Sequence, residues 1–279
     1  MTWWCAASDA AWQWTWRWYP GAWLAIGLLV FSYLRLYRNS EPGSVSTLSK
    51  FCLAAGTLAL WAAIDWPIGA LGAGYLSWVH TVQLLLISLI AAPLLLLAIP
   101  RGCLDYWAEQ PRRRAWMRAL SHPLVGLIVF NAILGVTHVP SIVDSVMKTQ
   151  LGNFGIDLLW LIGGIALWWP VIAPPGVARL SPPMQIGYLF VSTIPPTIPA
   201  AFLTFAKYPL YALYELAPRV PGMQIAAQAD QQVSGLIMKV VGDPILWLGM
   251  AILFFRWARS ERAGLPAETV RAPESVPAA

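Results

Sequence analysis

The sequence has few charged residues. Asp, Glu, Lys and Arg make up only 11% of its 279 residues, whereas a soluble domain carries about a quarter. Hydrophobic residues make up 58% of the chain, and its mean hydropathy is +0.60. This composition argues against a soluble enzyme and predicts an integral membrane protein. We therefore interpret the net charge of +5 as a topology signal and expect no nucleic-acid partner.

Cysteine is also scarce, and the common catalytic motifs are missing. Cys5, Cys52 and Cys103 form no C-x-x-C pair, so no thiol redox or thiolate metal motif is present. The sequence has no P-loop and no G-x-G-x-x-G, H-E-x-x-H or G-x-S-x-G motif, and we expect no enzyme activity. The residues before Arg17 contain no Lys or Arg, so no cleavable signal peptide is expected.

Long apolar runs, in contrast, are abundant. A membrane-spanning helix needs about 20 mostly apolar residues, and the sequence predicts an all-α bundle of about seven transmembrane helices. The predicted spans are 22–37, 51–69, 76–99, 122–143, 154–172, 184–205 and 233–257. The sixth contains three prolines, which membrane helices tolerate when neighbours satisfy the freed backbone groups. Together the spans form a predicted membrane domain over residues 21–258.

The basic residues divide unequally between the two ends of these helices. Thirteen Lys and Arg residues fall on one side and four on the other, with Lys239 inside the last span. By the positive-inside rule, this division predicts an outer N-terminus and an inner C-terminus. Residues 1–20 are rich in Trp and predict an interfacial segment on the outer surface. Residues 259–279 are rich in Pro, Ala and Glu and predict a disordered cytoplasmic tail.

Several ionisable residues fall near the predicted outer ends of different spans. Such groups are costly inside a membrane and are therefore candidates for function. Imidazole and thioether ligands suit copper, and thioethers favour Cu(I). The pattern predicts a copper site, with supporting carboxylate and amide groups that orient the ligands or attract the cation. The predicted metal ligands are His80, His138 and Met238, and the supporting residues are Asp65, Asp230 and Gln231.

Simpler interpretations of the same residues stay open. Either histidine could only hydrogen-bond a backbone carbonyl or a lipid headgroup, the two could be haem ligands, and Met238 could only fill space in the core. His122 fits the start of a helix before Pro123. Lys239 and Asp243, four residues apart, favour an ion pair within one helix. Asn131 is expected to hydrogen-bond a neighbouring helix.

Six segments together resemble one family of membrane proteins, the CtaG family of cytochrome c oxidase assembly factors. They resemble, in order, its H-M-x-x-H, A-P-x-L-L, W-H-x-P and G-x-x-x-W-W-P segments, the stretch before its last loop, and its D-Q-x-x-G-x-x-M signature. In this sequence they read LSWVHTVQL (76–84), AAPLL (91–95), THVP (137–140), GGIALWWPVI (163–172), FLTFAKYPLY (202–211) and ADQQVSGLIM (229–238).

The resemblance implies a multi-helix protein of the bacterial inner membrane that assists assembly of a haem–copper oxidase and handles copper. Its partners would be membrane lipids and subunits of the oxidase. By the same resemblance, the candidate site residues are His80, His138, Asp230, Gln231 and Met238. The sequence departs from the family pattern at four positions. Leu84 stands for the second histidine, Thr81 for the methionine of the same segment, and Thr137 and Lys239 for tryptophans.

Three functions follow as hypotheses. The first is an assembly factor for cytochrome c oxidase that holds or relays copper at the outer membrane face. The second is a metal-free accessory subunit of a larger respiratory or photosynthetic complex, which Leu84 and the abundant Trp favour. The third is a transporter of copper or a small solute. A transporter would need a continuous polar path, and the inner halves of the spans offer little beyond Asn131.

Overall fold

The computed structural model describes residues 2–41, 43–100, 103, 106, 109–173 and 180–264. All regular secondary structure among these residues is helical. Six helices are long and apolar enough to cross a membrane, or seven if one bent pair counts as a single span. The predicted all-α bundle of about seven spans is therefore confirmed.

The helices follow one another with short connections. The fourth of them, Ser77–Ala98, changes to a π-helical turn over Leu86–Ala91 before it resumes as α-helix. The helices are α1 (Pro20–Arg38), α2 (Thr47–Ile64), α3 (Ile68–Gly74), α4 (Ser77–Ala98), α5 (Pro111–Leu120), α6 (Pro123–Thr137), α7 (Pro140–Val146), α8 (Gln150–Ile172), α9 (Pro182–Ser192), α10 (Thr197–Phe205), α11 (Ala212–Glu215), α12 (Ala227–Val240) and α13 (Gly242–Gly264).

Side-chain caps start two of the helices earlier than hydropathy predicts. The Ser46 hydroxyl accepts from the Ser49 amide at the start of α2, and the Thr149 hydroxyl accepts from the Gly152 amide at the start of α8. Such caps satisfy amide groups that the first turn of a helix leaves free. Helix α2 therefore begins at Thr47 instead of 51 and α8 at Gln150 instead of 154, four residues before the predicted start in each case.

Several predicted spans end earlier or are broken. Helix α2 stops at Ile64 because Asp65 is extended, so the predicted end at 69 was wrong. Helix α6 stops at Thr137, because His138 leaves the helical conformation and Val139 is extended. A residue before proline disfavours the helical region, and Pro140 begins α7. The predicted continuation to 143 was therefore also wrong.

The last two predicted spans also differ from the structure. The predicted sixth span, 184–205, matches one candidate span, Pro182–Phe205, but a turn that contains Pro195 and Pro196 divides it into α9 and α10. The last predicted span lies in a run of 36 residues, Ala227–Arg262, which is longer than the bilayer core requires. Helix α13 continues to Gly264, so a disordered tail starting at 259 was wrong at its boundary. Residues 265–279, Arg101 and Arg179 lie outside the described residues.

Three of the smaller predictions can be checked in the helices. His122 caps α6, since its Nδ1 accepts from the Leu124 amide, as predicted. Lys239 and Asp243 form the predicted ion pair at 2.6 Å. The prediction for Asn131 was wrong, because its amide donates to the Leu127 carbonyl one turn earlier in its own helix.

Helix α8 lies at the centre of the bundle, between α4 and α6. It packs tightly against α4 at Gly164, where an added Cβ would lie 2.5 Å from the Ser88 carbonyl oxygen. Lipid offers no hydrophobic drive for helices to associate, so small residues that permit close backbone contact hold membrane bundles together. Gly164 therefore fixes the distance between the two helices that carry much of the candidate site.

We expect Gly164→Ala to destabilise the bundle, because the methyl group would meet fixed backbone of α4. Overpacking of this kind costs about 1–3 kcal/mol. The measurement is thermal unfolding of the purified chain in detergent. Gly155→Ala, on the same helix with nothing within 4 Å of the added methyl, is the control. Equal melting temperatures for the two variants would contradict the role of Gly164.

Candidate functional site

The N-terminal residues fold over one end of the bundle. Trp4, Cys5 and Trp12 are buried, and the Ala7 amide donates to the Met147 carbonyl at 3.2 Å. The Tyr75 hydroxyl donates to the Ala10 carbonyl at 2.8 Å. We call residues 2–19 the N-terminal cap, and the end of the bundle that it covers the cap face. Interfacial anchoring stays a prediction for its exposed tryptophans, Trp14, Trp16 and Trp18.

Two histidines meet beneath this cap. His80 lies in the first turns of α4 and is 5% exposed, and His138 follows the last residue of α6. Their ring centroids are 6.4 Å apart. The ring of Trp160 lies 4.7 Å from that of His80, and the ring of Tyr214 lies 6.1 Å from it. Residues far apart in the sequence therefore converge on one imidazole pair, of which His80 is buried and His138 partly buried.

Trp160 connects the surroundings of both histidines. Its ring packs on His80, and its indole N–H donates to the Thr137 hydroxyl at 3.1 Å. Thr137 immediately precedes His138. Because Trp160 belongs to α8, the central helix sets the position of α6 relative to α4 at the level of the histidines.

The nitrogen atoms of the pair are largely without partners. His138 Nδ1 lies 2.8 Å from the Leu134 carbonyl oxygen, so Nδ1 carries the proton and Nε2 presents a lone pair. Among the described residues, His138 Nε2 and both nitrogens of His80 are buried without a hydrogen-bond partner. Buried polar atoms without partners are rare in folded proteins and indicate an ion, a water molecule or a functional role.

The structure contains two buried methionines to consider as ligands, the predicted Met238 and a second one, Met147. Asp230 bonds the start of α4 and Ser234 lies 2.5 Å from Thr81, so α12 and α4 run side by side in the same direction. Met238 is buried and, one turn beyond Ser234, continues the face that meets Thr81. Sequence reasoning missed Met147, which is fully buried and whose sulfur lies 3.9 Å from the Tyr214 hydroxyl oxygen.

Asp230 acts on the helix that carries His80. Its two carboxylate oxygens accept from the Ser77 amide at 2.8 Å and the Trp78 amide at 2.9 Å. These are the first two amide groups of α4, which have no partner within the helix. The carboxylate therefore caps α4 and favours its N-terminal dipole, which holds the first turns of the helix, and His80 with them, in place.

Gln231 ties the loop after α10 to α12. Its carbonyl oxygen accepts from the Leu210 amide at 2.6 Å, and its amide donates to the Leu203 carbonyl at 3.2 Å. With Asp230, it fixes α12 against two neighbours. Neither residue has a free ligand atom directed at the histidines, so the structure supports a positioning role for both.

Asp65 lies beside the N-terminal cap. It is 1% exposed, and neither carboxylate oxygen has a hydrogen-bond partner among the described residues. Burial raises the pKa of Asp65, and the nearby N–H groups of Trp66, Trp61 and Trp23 oppose part of that rise. Burial also raises the pKa of Cys5, and the carboxylates of Asp157 and Asp65 raise it further. Cys5 of the cap also donates to the Ile64 carbonyl at 3.4 Å, so Cys5 and Asp65 form a second polar cluster where the cap meets the bundle.

Asp157 joins the cap to the histidine pair. One carboxylate oxygen accepts from the Trp4 indole at 2.8 Å, and the other accepts from the Gln83 amide at 2.7 Å. Gln83 follows His80 by one turn of α4. None of Asp157, Trp4 and Gln83 is among the site residues that the sequence predicts. A polar residue such as Gln83 inside an apolar span is the signal that could have found this link.

The types of side chain in the site limit which metal ions it could hold. Among the described residues, no group of three or more His, Cys, Asp or Glu could hold a metal ion. A structural zinc site, which takes four Cys or His ligands, is therefore not formed among these residues. A metal held by His80 and His138 would need additional ligands of another kind, and the contacts lead from His80 through the Tyr214 ring to the Met147 thioether.

Comparison with known proteins now identifies the chain. The profile of the cytochrome c oxidase caa3 assembly factor family (Caa3_CtaG) matches residues 27–260. The chain belongs to this family. The match confirms the resemblance found in the sequence, and it covers every candidate ligand. It begins after the N-terminal cap. No curated protein and no solved structure matches the chain.

We expect Asp230→Ala to destabilise this family member, because the first amide groups of α4 would lose their acceptors. Loss of an N-terminal cap costs about 0.5–2 kcal/mol. Thermal unfolding in detergent measures the effect, and Asp9→Ala, which removes an exposed carboxylate, is the control. An Asp230→Ala protein as stable as the unchanged chain would rule out the capping role.

Proposed function

We propose that this assembly factor holds Cu(I) between His80 and His138 for delivery to a cytochrome c oxidase. The observation that carries the proposal is the pair of facing imidazoles with three buried, unpaired nitrogen atoms. The role is binding and transfer of a metal ion rather than catalysis. It joins the family's assembly function to an imidazole pair in which three of the four nitrogen atoms have no hydrogen-bond partner among the described residues.

The spacing of the rings supports a shared ion. An imidazole nitrogen lies about 1.2 Å from its ring centroid and nitrogen–metal bonds are about 2.0 Å long, so two rings that share one ion have centroids at most about 6.4 Å apart. The observed separation of the His80 and His138 centroids is 6.4 Å. A hydrogen bond from Nδ1 to a backbone carbonyl is also how metal-binding histidines are usually oriented, and His138 has this bond.

The surroundings favour the monovalent ion. Desolvation of an ion with no nearby counter-charge is less costly for Cu(I) than for a divalent cation, and neutral imidazole with thioether suits copper. Met238 remains the predicted thioether ligand. Met147, which contacts Tyr214 near the pair, is a second candidate for the same role.

Copper would enter and leave through the N-terminal cap. The cap lies against α3 and the first turns of α8, where the Ala7 backbone packs on Gly74 and the Trp4 indole bonds Asp157. Its contacts with the bundle include single hydrogen bonds that can break one at a time. The clustering of buried tryptophans keeps water from the histidines while the cap is in place.

The proposed setting is the bacterial inner membrane, with the cap face outward. The Lys and Arg distribution supports this orientation, since the cap face carries few basic residues and the opposite side carries most of them. The partner is then an oxidase subunit whose copper centre is filled from the outer side of the membrane.

Removal of either imidazole tests the proposal. The purified chain in detergent is titrated with Cu(I) under reducing conditions against a chromogenic chelator. We expect about one ion per chain, and more than tenfold weaker binding for His80→Ala and for His138→Ala, since even loss of an orienting partner costs 10- to 100-fold. In cells that lack the chain, the same variants should fail to restore cytochrome c oxidase activity.

His122→Ala is the matched control, because His122 caps the other end of α6 and should leave copper binding unchanged. Unchanged Cu(I) affinity in the His80 and His138 variants would refute the copper site. Normal oxidase activity in cells without the chain would refute the assembly role. A metal-free protein that co-purifies with a membrane complex at fixed stoichiometry would instead support the accessory-subunit hypothesis.

A further inference from the structure

An apolar groove runs along the lipid-facing side of α1 and α2. Its volume is about 600 Å³, within the ~300–1,000 Å³ typical of ligand sites. On α1 the lining residues recur every three or four positions, and on α2 they follow the same spacing. The groove therefore follows one face of each helix. Its lining includes Ile26, Val30, Leu53, Ala54 and Leu58.

The two ends of the groove differ in chemistry. At one end Trp23 and Trp61 pack edge to face, with ring centroids 5.5 Å apart. At the other end lie Tyr37 and Lys50. The Tyr37 hydroxyl is already used, since it donates to the Ala98 carbonyl at 2.8 Å. The groove is thus narrowed by aromatic rings at the cap-face end and carries a cation at the opposite end.

The cation at this end has no counter-charge of its own. Among the described residues, Lys239 pairs with Asp243, and Lys50 takes part in no ion pair. Arg38, one turn beyond the lining residue Leu34, lies on the same face of α1 and is exposed. Two basic residues therefore flank the mouth of an apolar groove on the side of the membrane where most Lys and Arg residues lie.

The dimensions of the groove fit a single acyl chain. From Lys50 to Trp61 the helix rises about 16 Å at 1.5 Å per residue, and one leaflet of the ~30 Å bilayer core is about 15 Å thick. A partner helix of the same length and a diameter of ~10 Å would occupy on the order of 1,200 Å³. The groove holds about 600 Å³, half of that volume.

We propose that this groove binds one anionic phospholipid, with its headgroup at Lys50 and one acyl chain between α1 and α2. Basic pockets between membrane helices recognise such headgroups. The lipid would fill the space along α1, whose span is only 6% buried within the protein, and would fasten that helix to the bundle. This inference does not depend on the copper site.

Lipid retention tests the proposal. The full chain is delipidated in detergent, supplied with phosphatidylglycerol or phosphatidylcholine, and analysed by native mass spectrometry. We expect one retained phosphatidylglycerol per chain. Ala54→Phe should remove retention by filling the groove. Lys50→Glu should weaken phosphatidylglycerol binding about fivefold or more, since each basic residue near such a surface contributes about 1 kcal/mol, and should abolish the preference over phosphatidylcholine.

Matched variants lie elsewhere on the lipid-facing surface. Ala132→Phe adds the same ring to an exposed position of α6, and Lys148→Glu reverses an exposed charge beyond the opposite ends of the helices. Both should retain phosphatidylglycerol as the unchanged chain does. Equal retention in Ala54→Phe and Ala132→Phe would overturn the proposal. So would a photo-crosslinker at position 54 that captures a polypeptide instead of lipid in native membranes.

Discussion

The interior of a membrane protein must satisfy its own polar groups, because lipid offers them no partner. Most buried polar side chains of this bundle obey that constraint by bonding a neighbouring backbone group, as Tyr188 does with the Leu167 carbonyl and Tyr214 with the Gly72 carbonyl. Most of the exceptions among the described residues lie toward the cap face, and His80, His138 and Asp65 are the ionisable ones. The candidate site therefore lies in the part of the bundle where buried polar groups lack hydrogen-bond partners.

The central helix α8 positions the elements that surround these unpaired groups. Gly164 brings it against α4, and nearer the cap face Trp160 packs on His80 and bonds Thr137. One turn closer to that face, Asp157 accepts from Gln83 and from Trp4 of the cap. A single helix thus sets the spacing of α4 and α6 and also holds the cap. A change in the packing of α8 would move both histidines and loosen their cover together.

Hydropathy was enough to predict the helical bundle and the convergence of His80 and His138, because burial of apolar residues and their depth depend on local sequence. The breaks at Asp65 and His138 depend on neighbouring prolines, whose effect a smoothed apolar run hides. The cap was not predictable from its composition, since exposed and buried tryptophans look alike in a sequence. Trp160 and Tyr214 reach His80 only through tertiary packing, which no periodic pattern reports.

Leu84 shows what the departure from the family pattern does to the site. Two imidazoles four residues apart on one helix would keep their spacing through the helix itself. Here the buried Leu84 occupies that position, and the remaining pair is formed by α4 and α6. Its spacing therefore depends on tertiary contacts, chiefly through Trp160, and on the capping of α4 by Asp230. A site held by packing rather than by one helix can open when the packing changes, and release is what delivery of a bound ion requires.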